Sequence, residues 1–407
     1  MLRNLTIASI YFSSISCSSY IQATALSHSS TFKLDRSSVS RFINPFYSSS
    51  IGSVSAQFSR STMSHFLNSA IRIDSLQLFR YEIHNTHSNY SPEDNLSVNE
   101  MRFFDCNAEF DGGAIFVILD TFFVCNFTVF SNCSAQSKGG AIFCIVPQVN
   151  FTQGCFSHCQ SKLGTAIYAP DSESNFTFEG CYSDYSIKAG SQSEYVFYAS
   201  SPDIIATTSN FSHNSMSGNG VLFLQTTHLF ALTHFTFYNN TSEDSICTLS
   251  QVQSVAGINN TNFIGNKAKS IIKINLFEPI LKNIYFSQSS IETSYFNLTS
   301  ETKLTLIDCH FDLDQSKIPS GVTANGCTFS SESTMNLDHV ITKGCWDHST
   351  YTWSPPKLAY QIIVGIIIAA ILIGAFAAAA IHFYCRNKKK KDTQQLIPEI
   401  SNYENSD

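Results

Sequence analysis

The residues of this chain that could do chemistry are its cysteines, its asparagines in Asn-x-Ser/Thr triplets and a small group of aspartates. Of 13 cysteines, Cys106, Cys125, Cys133, Cys144, Cys155, Cys159, Cys181, Cys247, Cys309, Cys327 and Cys345 lie between the two apolar ends of the chain. Such thiols can pair, hold a metal or stay buried as small hydrophobes. There is no Cys-x-x-Cys and the histidines are scattered, so neither a zinc site nor any other cofactor is expected. Triplets that an export pathway could glycosylate stand at Asn89, Asn95, Asn126, Asn132, Asn150, Asn175, Asn210, Asn239, Asn240, Asn259 and Asn297. Only those facing water can carry sugar, and Asn95, Asn126, Asn150, Asn175, Asn210, Asn240 and Asn297 are the expected acceptors. The best acidic group is Asp308, Asp312 and Asp314, yet no arginine lies between Arg102 and Arg386. Nor is there a Gly-x-Ser-x-Gly elbow or a phosphate-binding glycine loop. A polysaccharide-acting enzyme is therefore the lesser alternative, and the chain is read as no enzyme.

What positions these groups is a repeat. Phe103-Phe104-Asp105-Cys106 precedes Gly112-Gly113-Ala114-Ile115-Phe116, and Phe130-Ser131-Asn132-Cys133 precedes Gly139-Gly140-Ala141-Ile142-Phe143. A third copy joins Phe156-Ser157-His158-Cys159 to Gly164-Thr165-Ala166-Ile167-Tyr168, so the leading phenylalanines are spaced by 27 (103 to 130) and 26 (130 to 156) residues. Such a period marks stacked units, none of which can bury its apolar face alone. Gly-Gly is a permissive corner, and alternating stretches such as 126–130 read as half-buried strands. Successive coils of a solenoid lie about 4.8 Å apart, so like residues stack into ladders. The 34 phenylalanines suit such ladders; a phenylalanine-rich β-sandwich is the alternative. Phe178-Glu179-Gly180-Cys181 reads as a fourth opening, and 211–214, 237–240 and 263–266 follow with Asn in the place of Cys. Asn there is expected to supply a left-handed turn. The openings place Cys106, Cys133, Cys159 and Cys181 at equivalent positions within disulfide range. A Cys133–Cys159 bridge is expected, with a ladder of reduced thiols as the alternative.

Charged residues make up 14% of the chain and the net charge is −7, which leaves no basic footprint for nucleic acid. Residues 1–25 read as a secretory signal peptide ending at Ala23-Thr24-Ala25, with Ser14-Ile15-Ser16 as a second cleavage candidate. A disordered serine-rich start is the alternative. Residues 26–100 are a cap or degenerate coils, with 85–100 a loop, and 101–350 carry the repeats. Residues 361–383 form a transmembrane helix, their apolar run 362–381 long enough for about 30 Å of hydrocarbon. Arg386 and Lys388 to Lys391 follow, which keeps the tail 386–407 cytoplasmic. The expected arrangement is a single-pass type I plasma-membrane protein.

Paired Gly-Gly-Ala-Ile and Phe-x-x-Asn pieces recurring over about 103–266 resemble the repeats of chlamydial polymorphic outer membrane proteins. They resemble also the single-pass repeat proteins of trichomonad surfaces. The resemblance implies an all-β fold, a right-handed parallel β-helix (solenoid) ectodomain, here joined to one C-terminal transmembrane α-helix. It also implies display on a cell and a role in adhesion. The expected partner is a cell-surface glycan or protein, and a passive glycosylated coat is the alternative.

Overall fold

The computed structural model describes residues 4–8, 10–13, 21–22, 31–49, 55–74, 95–118, 122–170, 175–184, 193–250, 256–275, 278–299 and 302–330. The expected membrane segment 361–383 and tail 386–407 lie outside them. Among the described residues no helix is long and apolar enough to cross a membrane.

Alternating inward side chains make each coil a triangle of short strands. On the first face the strands include Thr31–Asp35, Ser55–Ser59, Asn95–Asn99, Phe122–Asn126, Gln148–Thr152 and Asn175–Glu179. On the second they include Thr62–Phe66, Arg102–Ala108, Val129–Ser131, Cys155–Ser157 and Tyr182–Asp184. The third holds Ile71–Asp74, Ile115–Ile118, Ile142–Ile145, Ile167–Ala169 and Phe197–Ser200. All pairings among the described strands are parallel, in sheets of 23 and 13 strands. The protein is an all-β parallel solenoid.

Register is locked by identity. Phe103, Phe130 and Phe156 occupy one column, their rings stacked at 5.0 Å with interplanar angles of 4° and 3°. The column resumes as Phe211, Phe237, Phe263 and Phe286, with ring spacings of 5.4, 4.8 and 5.2 Å. Each ring is fully buried, a gain of about 1.5–3 kcal/mol apiece before ordering costs.

The structure corrects the reading of the fourth repeat. Phe178 pairs with Phe151 on the first face, so Phe178-Glu179-Gly180-Cys181 is the first corner of its coil. Cys181 is therefore not the equivalent of Cys159. The column position between Phe156 and Phe211 belongs to Ser183. Phe197 reaches across from the third face to fill the gap, edge-on to both rings at 5.2 and 4.9 Å.

One further expectation changes, and the first strands of the chain add a coil. Residues 95–99, read as part of a loop, form a first-face strand between Ser55–Ser59 and Phe122–Asn126. Within the expected leader, Asn4–Ala8 and Tyr11–Ser13 pair with Thr31–Asp35 and Ser38–Phe42 as one more coil. Residues 31–49 and 55–74 are themselves coils in register.

Corners take the left-handed geometry. Gly112 and Gly139 have φ of 68° and 63°, as a glycine corner requires. Non-glycine residues do the same at the other two corners: Arg60, Glu100, Phe127 and Gln153 at the first, His65, Asp105, Asn132 and His158 at the second. This costs about 1–2 kcal/mol per residue. It is offset because each strained amide bonds the next coil, as in Phe127 N to Thr152 O at 2.8 Å and Asn132 N to Ser157 O at 2.9 Å.

Gly113 and Gly140 meet a different limit, because a Cβ on Gly113 would overlap the Gly140 carbonyl oxygen and one on Gly140 that of Thr165. Gly113→Ala is therefore expected to lower stability by more than about 4 kcal/mol, at the far end of single-substitution effects. Gly257→Ala, where the nearest atom lies at 3.5 Å, is the control and should change stability little. Thermal and denaturant unfolding of the full chain measures both.

Candidate functional site: the corner ladders and the strip between two faces

Where the second corner turns inward, the residue after the left-handed one points into the core. There Cys106, Cys133 and Cys159 are buried, and each is a free thiol. The expected Cys133–Cys159 bridge is absent, and the reduced ladder is what forms. Cys133 Sγ–H donates to Phe103 O at 3.7 Å and Cys159 to Phe130 O at 3.8 Å. Cys106 donates likewise to Met63 O at 3.8 Å.

Asparagine does the same work in later coils, which explains why the two residue types alternate. Asn240 Nδ2 donates to Phe211 O at 2.8 Å and Asn266 Nδ2 to Phe237 O at 2.7 Å. Asn214, Asn240 and Asn266 also form a ladder in which Asn240 Oδ1 accepts from Asn214 and Asn266 Oδ1 from Asn240, at 3.0 to 3.1 Å. The left-handed residue is the one before, His213 or Asn239. So these asparagines are buried donors, not turn residues.

Desolvation pushes the Cys106 and Cys159 thiols well up, and burial takes Cys125 and Cys181 up to about 12. These are inert structural thiols. Cys155, on the outer side of the second face, is disulfide-bonded.

The acidic group is structural in its contacts. Tyr295 donates its hydroxyl to Asp312 Oδ1 at 2.5 Å, and Asp312 Oδ2 accepts Ser289 N at 2.8 Å. Asp314 accepts Ser316 N at the start of a single helical turn, Gln315–Lys317, and that backbone hydrogen bond lowers its pKa. Ser157 bonds His158 at 2.7 Å, while Asp184 bonds His213 at 3.2 Å.

The asparagine triplets divide by exposure. Asn132, Asn175, Asn239 and Asn297 are exposed, whereas Asn126 and Asn150 are half-buried. Asn95 lies in the strand Asn95–Asn99. Asn210 and Asn240, both expected acceptors, are buried. A glycan on Asn240 would remove its bonds to Phe211 and Asn266, so this fold excludes it.

Past the second corner a narrow strip runs up the solenoid before the third face. One groove lies on it, and a second spans from it across the third face. The first, of 680 Å³, is lined by Leu67, Asn107, Ser134 and Gln160 in one column and by Glu109, Gln136 and Lys162 in another, over a floor of Ala108 and Ala135. It is built by the three clear repeats. The second, of 850 Å³, is lined among others by Asp244, Lys269, Ser270, Thr293 and Lys303. There Lys273 is paired with Asp244 at 2.7 Å, and the buried Ser270 hydroxyl makes no hydrogen bond. Among the described residues no group of His, Cys, Asp and Glu is arranged to hold a metal ion.

Sequence reasoning found the coils but missed this strip. Its residues vary from coil to coil, so only the position relative to the Cys/Asn corner could have pointed to it. No protein-family model matches the chain, and neither a curated protein nor a solved structure is detectably similar to it.

The thiol assignment is directly testable. Alkylation of the native full chain at about pH 8, close to the ordinary thiol pKa, should leave Cys106, Cys133 and Cys159 unmodified until denaturant is added. Peptide mapping should then find no Cys133–Cys159 disulfide. Rapid native labelling of all three, or that disulfide, would contradict the ladder.

Proposed function

We propose that the chain is a single-pass cell-surface protein that holds its solenoid outside the cell for contact with another surface, as an adhesin. In this reading residues 1–25 act as export leader, 361–383 cross the plasma membrane and 386–407 stay inside. The solenoid is right-handed, as parallel crossovers nearly always are, and kin to the polymorphic outer membrane protein repeats that Gly112–Phe116 and Gly139–Phe143 resemble. The protein is not an enzyme.

The observation that carries the proposal is the strip. Its groove presents amides and hydroxyls in columns on a rigid support, and rigid preorganised surfaces lose less entropy on binding than mobile loops do. The sequence adds the anchor, an uncharged run at 362–381 followed by Lys388 to Lys391. A passive glycosylated coat is the second reading, supported by exposed acceptor triplets at Asn132, Asn175, Asn239 and Asn297.

The full chain, expressed on cells that do not otherwise adhere, is expected to confer saturable attachment to a panel of target cells that protease treatment abolishes. Display without any attachment would favour the coat. On the same cells, glycopeptide mapping should find sugar at Asn175 and Asn297 and none at Asn210 or Asn240. Amino-terminal sequencing decides the leader: a start near residue 26 fits cleavage, whereas retention of 4–8 would mean that the first coil is kept.

A further inference from the structure

We infer that the groove over the three clear repeats is a binding site for a neutral, extended oligosaccharide lying along the solenoid axis. The inference deepens the surface-contact reading by naming the class of ligand, and it rests on that reading for its biological setting only.

The lining is matched to hydroxyl groups. Gln136 and Gln160 each offer an amide donor and an amide acceptor, Asn107 keeps one amide N–H, and Ser134, whose hydroxyl donates to Asn107 Oδ1, offers an acceptor. Sugar hydroxyls likewise donate and accept. Glu109 and Lys162 place one charge of each sign on the lining, and no arginine occurs from 103 to 385. A phosphate or sulfate polymer would find no net positive field here.

Two apolar side chains complete the match. Leu67, in the groove, is 63% exposed, and Phe110, next along the chain from Glu109, is 65% exposed. Both are solvated apolar groups that the apolar face of a ligand can cover, Leu67 within the groove and Phe110 beside its lining residue Glu109 in the chain. A pyranose ring has an apolar C–H face and a polar rim, which such platforms and amides meet together. The small Ala108 and Ala135 in the floor leave room for the ring to approach.

A peptide is disfavoured by the backbone. A strand-like peptide needs free edge amides and carbonyls, but along this strip they are already paired between coils. Ala135 N bonds Gln160 O at 2.9 Å, Gln160 N bonds Cys133 O at 3.0 Å and Ser137 N bonds Phe110 O at 3.0 Å. Ser134 Oγ also bonds Asn107 Oδ1 at 2.6 Å, which orients both groups. Coils recur at about 4.8 Å, a step similar to the advance of an extended β-linked pyranose chain. Successive sugars would therefore meet successive coils.

The test uses the full chain in detergent, with cello-, laminari- and chitohexaose as probes and heparin hexasaccharide as the charged comparison. Saturable binding of at least one neutral hexaose, little affected by salt, is expected. Phe110→Ala and Gln160→Ala should each weaken it about tenfold, and Phe110→Tyr should retain it. The exposure of Phe110 means that the unfolding midpoint should not move, which separates lost binding from lost fold. No neutral hexaose bound at about 10 mM, or binding unchanged in both alanine variants, overturns the inference. Binding of heparin alone overturns it too. If cells displaying the chain still attach while the hexaoses do not bind, the surface-contact reading stands and only the saccharide assignment falls.

Discussion

A chain that turns inward at every corner of a stack leaves backbone carbonyls inside an apolar core, and the rest of this structure depends on each coil supplying a donor to the coil before it. An unmade hydrogen bond there costs about 1–3 kcal/mol, repeated along the solenoid. Cysteine, with a weak S–H donor, satisfies Met63, Phe103 and Phe130. Asparagine, with a stronger one, satisfies Phe211 and Phe237. At the first corner, hydroxyls turn back on their own strand: Ser61 donates to Ser59 O at 2.7 Å and Thr128 to Asn126 O at 2.8 Å. Once the donor is fixed, the residue three positions before it lies beneath the same residue of the next coil, and the phenylalanines stack.

Much of this was legible because identity at a fixed period is hard to produce otherwise. The Phe103, Phe130 and Phe156 openings and the glycine corners emerge from spacing alone, and they occupy equivalent positions in the fold. Phe178 misled because two corners of one coil carry the same grammar: an apolar residue, two polar ones, then a small buried donor. Only the steps of 22 and 33 residues around it, which together make two coils, betray the slip. Residues 95–99 were missed because a strand needs only two inward residues, Leu96 and Val98, which a polar setting hides. The donor role of Asn240 was invisible as well, since an Asn-Thr-Ser triplet reads as a glycan acceptor until burial is known.

The strip between the second and third faces is where the constraint relaxes. Its backbone is paired between coils, so its outward side chains are free to differ: Asn107, Ser134 and Gln160 share a column without sharing a type. A scaffold that fixes position and leaves chemistry open is suited to recognition. The same rigidity limits the surface to ligands that fit it as it stands.

The central claim is that one register runs through the phenylalanine column of the second face, with Ser183 in that column and Phe197 filling its gap. A double-mutant cycle at these two positions tests it most directly. Phe197→Ala alone should cost about 3–5 kcal/mol by opening a cavity, and Ser183→Phe alone should cost about 1–3 kcal/mol by overpacking. Combined, the new ring should occupy the space that the old one left, and the double variant should recover at least about 1 kcal/mol relative to the sum. Strictly additive losses would mean that the two side chains do not share one space, and the register described here would be wrong.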